Sequence, residues 1–474
     1  MENETIFQNP SQPPPAVGMP PPPSQKPPAF PGEGSPGGTK KSISSIRMLK
    51  LILGVLVVLF VGFVIIFSLT KLFGDKDQKV TLTYWGLWED KNVLAPIIAD
   101  FERQNPNVKI DYSKQDIKDY RERLMTRIAN GDGPDIFKFH NSWYPMISEI
   151  LLPLPESVIT REEFSKNFYQ VSQRDLVKNG AIYGIPLHID TLSLYVNKDM
   201  LEAAGLSPPK TWEEFRNIAY ELTVKDEEGN IKTSGASLGT FENVTHAPDI
   251  ISLLLIQNGV DIYNPEASQR LYDGLTFYAS FAENDQAVWS KGLDNSILSF
   301  SKGDLAMFFG YSWDYFAIKA INPQLSFAIV PTPQLDSENP VGFASYWADG
   351  VSSKSRHQKE ALAFIKFLAR ESTQEKLYTE ESKVRLFGEL YSNVNLSQRL
   401  KDNKEIYVFL EQAPYARSSY FVDNTFDNGL NERLNNYLKD AINSILSGSS
   451  AESAAETLIQ GYGQVLKQYE NEKN

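Results

Sequence analysis

Between Leu51 and Leu69 the chain carries no charged residue. As a helix rising about 1.5 Å per residue, that run nearly spans the roughly 30 Å hydrocarbon core of a bilayer. It reads as a transmembrane helix that divides the chain into parts on opposite sides of a membrane. Lys40, Lys41, Arg47 and Lys50 crowd its N-terminal side, whereas Lys71 and Lys76 are mixed with Asp75 and Asp77 on the other. That asymmetry predicts a single-pass transmembrane helix within residues 47–73, in the cell membrane, with the N-terminus cytoplasmic and the bulk of the chain extracytoplasmic. A cleaved leader would have a shorter apolar region, about 7–15 residues, and a small-x-small site, and none occurs before Lys71. The chain has no Cys, which excludes disulfides, thiolate metal sites and a lipidated cysteine, so any anchor is the polypeptide itself.

Residues 1–46 include PSQPPPAVGMPPPPSQKPP and have almost nothing to bury, so a disordered tail sampling polyproline II and coil is expected. A docking role for its proline runs is the other reading. Residues 74–79 read as a linker and 80–474 as the folded outer domain, long enough for two lobes. Net charge is -13 although the first fifty residues are net basic, so the outer domain is strongly acidic. With no basic run to oppose that charge, binding to nucleic acid or anionic lipid is disfavoured. No two of the four histidines are spaced as a helical metal pair, so neither a metal nor a cofactor is expected.

The outer domain opens with Val80, Leu82 and Tyr84 alternating against Thr81, Thr83 and Trp85, as in a half-buried strand. Val93, Leu94, Ile97, Ile98 and Phe101 then take helical spacing up to Asn105-Pro106, and Val108, Ile110 and Tyr112 return to period two. Ile117, Tyr120, Leu124 and Ile128 mark a second helix ended by Gly131, before a strand in PDIFKF. Such alternation builds a parallel sheet covered by helices, with ligand groups gathered beyond the carboxyl ends of the strands. The loops there, GLWED and HNSWY, combine Trp with polar side chains. Thr160–Glu163, Thr211–Glu214 and Ser372–Glu375 read as capping boxes opening helices, which makes Trp212 a packing residue. Apolar stripes at residues 248–257 and 360–370 read as core faces.

The segment NGAIYGIPLHIDTLSLYVNKDMLEAAGLSPPKTWEEF resembles the signature stretch of the extracellular solute-binding proteins of ATP-binding-cassette importers, of the maltose-binding type. TLTYWGLWED with IIADFERQNPNVKIDY, RIANGDGPDIF with ILLPLPE, and GDLAMFFGYSWDYF leading to VPTP, WADGVSSKS and EALAFIKFLARESTQEKL agree in order and spacing. The resemblance implies a two-lobed α/β fold of the periplasmic-binding-protein type II class, closing on a hinge. Lobe 1 is expected at about 80–188 plus 349–395, and lobe 2 at about 189–348 plus 396–474. Crossings are expected near His188–Ser193 and Phe343–Gly350, and VRLFGELYSNV, near the third, lacks the proline the family pattern suggests. The implied ligand is a small solute, a mono- or oligosaccharide, with permease subunits as partners and the protein itself a monomer. Sugars offer apolar CH faces and hydroxyl rims, which call for flat aromatics and for carboxylates or amides. Matching positions nominate Asp190 in the first crossing, which could equally cap a hinge strand, and Trp347 in the second. They also nominate Trp85, Trp88 and Glu89 after the first strand, His140 and Asn141 after the third, and Tyr311 and Trp313 beyond AMFFG. Trp289, in AVWS, fits either the site or a buried contact.

Other classes fit parts of the sequence. Gly235–Gly239 matches G-x-S-x-G, but a nucleophile elbow also needs a strand-to-helix turn with an Asp and then a His later in the chain, and only His246 and His357 lie beyond it. The expectation is a binding protein rather than a hydrolase. A membrane-tethered sensor or adhesin would use the same fold, and a polyamine or peptide would also suit an acidic, aromatic cleft. The anchor is directly testable: the full chain should stay in membranes through alkaline carbonate washing, while a chain beginning at Gln78 should be soluble and folded. Release of the full chain by carbonate would remove the anchor.

Overall fold

The computed structural model describes residues 53–65 and 79–471. The expected proline-rich tail, nearly all of the linker and both flanks of the charge-free run lie outside the described residues. Residues 53–65 are helical, with apolar side chains such as Leu53, Leu59 and Phe63 exposed. Among the described residues no helix is long and apolar enough to cross a membrane. Contacts divide the chain at Asp75, and among the described residues every sheet lies in the unit from Lys76 onward.

Two five-stranded sheets organise this unit. In the first, Val80–Gly86 pairs in parallel with Val108–Lys114 on one side and with Ile136–His140 on the other. The intervening helices are Lys91–Gln104 and Tyr120–Asn130. Leu82 and Tyr84 turn inward and Thr81 outward, as the period of two requires. Gly131 ends the second helix in the left-handed region, φ 79°, where a side chain would be strained. The sheet is completed by Trp347–Val351, antiparallel to Ile136–His140, and by Ile185–Pro186 at the edge. The alternation read from sequence therefore yields the expected parallel core, closed by two strands that return from far along the chain.

The second sheet has the order Phe327–Val330, Ser193–Asn197, Leu305–Gly310, Ile231–Ala236, Val224–Lys225. Leu305–Gly310 runs antiparallel to Ser193–Asn197 and parallel to Ile231–Ala236. Between the two sheets lies a short three-stranded sheet in which Asp190 pairs with Ser345 and Thr191 with Ala344. Chain leaving the first sheet at Pro186 thus reaches the second at Ser193 through this bridge, and chain leaving Ser345 re-enters the first sheet at Trp347. His188 also bridges to Tyr391, and the Ile189 N–H donates to the Leu390 carbonyl at 3.0 Å, so the segment lacking the expected proline runs beside the first crossing.

Capping boxes are present at Thr160/Glu163 and Thr211/Glu214. The third is a correction: Arg370 occupies the N-cap position of the helix Glu371–Glu381, with no side-chain capping bond, and Ser372 lies inside it, because the helix starts two residues earlier than the motif implies. Gly235 lets the helix Trp212–Glu221 close on its strand, since a Cβ there would sit 1.9 Å from the Ala219 carbonyl oxygen. Trp212 is buried among Phe215, Phe277 and Phe309, and its indole N–H donates to Gln257 Oε1 at 2.7 Å. Trp212→Ala should therefore cost about 3–5 kcal/mol of stability, seen as a clear fall in melting temperature. An unchanged melting curve would place Trp212 outside the packing.

Candidate functional site

The bridge between the sheets floors a cavity of about 620 Å³, with walls from both sheets. Trp88, in the loop after the first strand, and Trp347, opening the returning strand, come from the first sheet. Trp313 and Asp314 come from the helix Ser312–Ile321, directly after a strand of the second. His188, Ile189, Asp190, Ser345 and Tyr346 form the floor. The aromatic groups are propped from behind. Trp347 contacts Trp88, His140 and Trp143 edge-on at 5.6, 5.1 and 5.1 Å, and Trp313 stacks on Tyr311 at 4.3 Å. Rings held this way present a fixed face at little further entropic cost.

Asp190 lines this cavity, yet it is buried and largely occupied. Its Oδ2 accepts from the Ser312 N–H (2.9 Å) and hydroxyl, and its Oδ1 from the Thr191 N–H (2.8 Å). Burial raises its pKa well above the usual carboxylate range, against the pull of the Ser312 hydrogen bonds. It thus ties the crossing to a helix start in the second sheet, in keeping with the capping alternative, while facing the cavity.

Beside it, His246 sits in the left-handed region, φ 61°, before the helix Ala247–Gln257. Its Nε2 lies 2.9 Å from Asp314 Oδ2 and its Nδ1 3.2 Å from Asp423 Oδ2. Burial opposes a charge on the ring, but Asp314 and Asp423 outweigh it and raise its pKa well above the histidine range. Asp314 also accepts from the Tyr311 N–H at 2.8 Å, so one carboxylate fixes both the helix start and the imidazolium.

Of the nominated residues, Trp88, Asp190, Trp313 and Trp347 line the cavity together. The others do not. Tyr311 is the buried support under Trp313, and Trp85 packs on the core beside Tyr120. Asn141 is buried; its amide donates to Asp175 (2.8 Å) and accepts from the Tyr346 N–H, which positions Tyr346. His140 is buried between the hydroxyls of Ser142 (2.7 Å) and Ser345 (3.0 Å), and burial lowers its pKa to about 3. Glu89 lies beneath the cavity, 3.3 Å from Lys138. Trp289 is wholly buried, its indole N–H donating to Asn243, so the buried-contact reading of AVWS holds. Ser237 is buried, its N–H donating to the Met307 carbonyl at 3.2 Å, and the chain beyond it is irregular rather than helical.

Residues the sequence did not nominate also face the cavity, among them His246, Asp314, Tyr346, Arg385, Glu389 and Phe426. Phe426 could have been suspected. It is an aromatic residue among turn formers in VDNTFDNG, and it stands half exposed at φ 49°, with Asn424 and Asn428 also left-handed.

Two α/β sheets joined by short crossing strands over an interlobe cavity define the periplasmic-binding-protein-like class. The sequence profile of the bacterial extracellular solute-binding protein family matches residues 88–375, and the chain belongs to that family. It is 25% identical over 331 residues to the multiple sugar-binding protein of Streptococcus mutans, covering 64% of this chain and 74% of that protein. Its fold is similar to that of the sugar-binding protein MalE of Xanthomonas citri, with a TM-score of 0.67 at 19% identity over 82% of this chain and 98% of that one. A solute-binding protein of Thermotoga lettingae, solved with α-D-tagatose, gives a TM-score of 0.63 at 21% identity over 81% and 99%. The family and these relatives are described as solute-binding proteins, the class expected from the sequence.

His140 supplies a test of the buried floor. Its folded pKa is depressed, so the unfolded chain takes up the proton first as pH falls. The neutral ring's contribution is complete above the unfolded value of about 6.5 and shrinks as pH drops toward the folded one. Below pH ~6, wild type should lose about 1.4 kcal/mol per pH unit relative to His140→Gln, measured by denaturant unfolding at stepped pH. Parallel pH profiles would mean that the ring is accessible to protons in the folded protein.

Proposed function

We propose that this chain is the membrane-anchored, extracytoplasmic receptor of an ATP-binding-cassette importer, and that it captures a mono- or oligosaccharide by closing its two lobes. One observation carries the ligand class. Trp88 and Trp313 are 39% and 38% exposed and reach one cavity from opposite sheets. Leaving a Trp face open to water forgoes burial energy, and a pair of open faces over hydrogen-bonding groups suits a flat, hydroxyl-rimmed solute. Tyr346 and Ser345 supply polar atoms at the floor, and Asp190 retains acceptor capacity beyond its protein partners. Family membership, the sugar-binding relative and the sugar-bound structural neighbours support this reading.

Lobe 1 is taken as about 80–188 plus 349–395 and lobe 2 as about 189–348 plus 396–474, hinged on the three-stranded bridge. Support for the anchor comes from the uncharged run and from the outward apolar side chains of residues 53–65. The closed lobes would then present one joined surface to permease subunits in the same membrane.

Titration calorimetry of the full chain with maltose-type and xylose-type oligosaccharides tests the site. Trp88→Ala and Trp313→Ala should each weaken the binding sugar about tenfold or more, equivalent to about 1.4 kcal/mol, with little change in melting temperature. Asp190→Asn should lower affinity and melting temperature together, because its carboxylate also holds Ser312. Unchanged affinity in both tryptophan variants would sink the proposed site.

A further inference from the structure

Below the cavity floor, three distant segments bring Glu89, His188 and Glu381 together. Glu89 lies just past the first strand, His188 enters the first crossing, and Glu381 ends the helix Glu371–Glu381. One donor atom from each lies within 4.8 Å of the others. His188 Nε2 is 3.6 Å from Glu381 Oε1, and Nδ1 is 4.0 Å from Glu89 Oε1. We propose that these three residues bind one divalent transition-metal cation, of the zinc or manganese class, at the hinge.

Unpartnered buried atoms are the first reason. The Glu89 and Glu381 side chains are each only 3% exposed. Both Glu89 carboxylate oxygens, Glu381 Oε1 and His188 Nε2 nevertheless have no hydrogen-bond partner. Such groups are costly to bury unless something positive meets them. Glu381 uses its other oxygen, which accepts the Glu389 N–H at 2.6 Å and faces Arg385 at 3.2 Å. Lys138 stands 3.3 Å from Glu89, outside hydrogen-bond geometry, and is shared with Asp349 at the same distance.

Charge balance is the second reason. Around His188 the carboxyl groups of Glu89, Glu381, Glu389 and Asp349 are paired, among the described residues, with two basic side chains, Lys138 and Arg385. Four carboxyl groups beside two basic side chains make a setting that a cation complements. Imidazole nitrogen with carboxylate oxygen suits zinc or manganese, whereas calcium and magnesium favour all-oxygen shells. The donors stand somewhat wider than metal bonds of about 2.0–2.2 Å would hold them. An ion would therefore draw the first crossing toward the end of the Glu371–Glu381 helix, and His188 also lines the cavity. Counting histidine spacings missed this set because two of its three donors are carboxylates on separate segments.

The inference is independent of the sugar reading, and its test contains no sugar. Full-length chain stripped with a chelator is titrated with Zn²⁺ or Mn²⁺ alone, and the retained metal is counted by elemental mass spectrometry. One ion per chain is expected, with affinity lowered tenfold or more in both Glu89→Gln and Glu381→Gln and a chelator-reversible rise in the wild-type melting temperature. Asp249→Asn probes the second histidine-carboxylate group, around His246. Wild type that retains no ion overturns the proposal whether or not the variants fold. So does affinity that survives both glutamate changes or is lost only in Asp249→Asn.

Discussion

Antiparallel pairing of Asp190–Thr191 with Gly342–Ser345 is the constraint on which the cavity depends. These short strands connect two sheets that otherwise pair only within themselves, and the cavity floor is made from their residues and immediate neighbours. Two paired residues are too few to resist bending as a broad sheet would, so the bridge can serve as a hinge. Its register is held by side chains instead. Asp190 reaches Ser312 on one side, Thr191 bonds the Phe409 carbonyl on the other, and Ser345 meets His140 beneath. Each bond joins the bridge to a different element of the fold.

Buried charge is concentrated around that bridge. Lys138 is essentially inaccessible and faces Glu89 and Asp349, while Tyr84 donates to Asp349 at 2.7 Å. Burial alone would discharge the lysine, but Asp349 and Glu89 hold it protonated far above its ordinary range. Such an arrangement adds little net stability over an apolar equivalent, but removing one member strands the others. On the second side, His246 is charged by the same logic between Asp314 and Asp423. Both groups fix polar residues of the cavity floor or wall.

Local pattern revealed the scaffold better than the site. Alternation in Val80–Tyr84, the helix stop at Gly131 and two capping boxes were legible because each depends on residues a few positions apart. Ser372 misled because a motif does not state which residue begins the helix. The aromatic candidates show the limit most clearly. Tyr311 and Trp313 are two residues apart, yet one is buried as a support and the other forms a wall. Spacing alone places His140 and Asn141 in a loop facing a ligand, but Ser345, Tyr346 and Asp175 arrive from elsewhere and claim their hydrogen bonds. Which polar atoms are left over is a property of tertiary contact that spacing cannot express.

Exposure of the tryptophans bears on how the lobes would work. With more than a third of each ring open, Trp88 and Trp313 forgo roughly 1–2 kcal/mol of burial apiece. Rings packed against them, Trp347 edge-on to Trp88 and Tyr311 stacked on Trp313, oppose collapse onto the floor, so that energy would stay available to a ligand. Micromolar capture needs about 8 kcal/mol in total. Two stacking faces and a few hydrogen bonds to charged groups, at about 1.5–3 kcal/mol each, reach that value only if both walls act on one solute. A solute held by one wall gains half the stacking and leaves the other ring in water. On the proposed reading, the preference for a closed state would reside in the ligand, since a single solute would have to meet both faces, and the short bridge would be the place where the lobes turn.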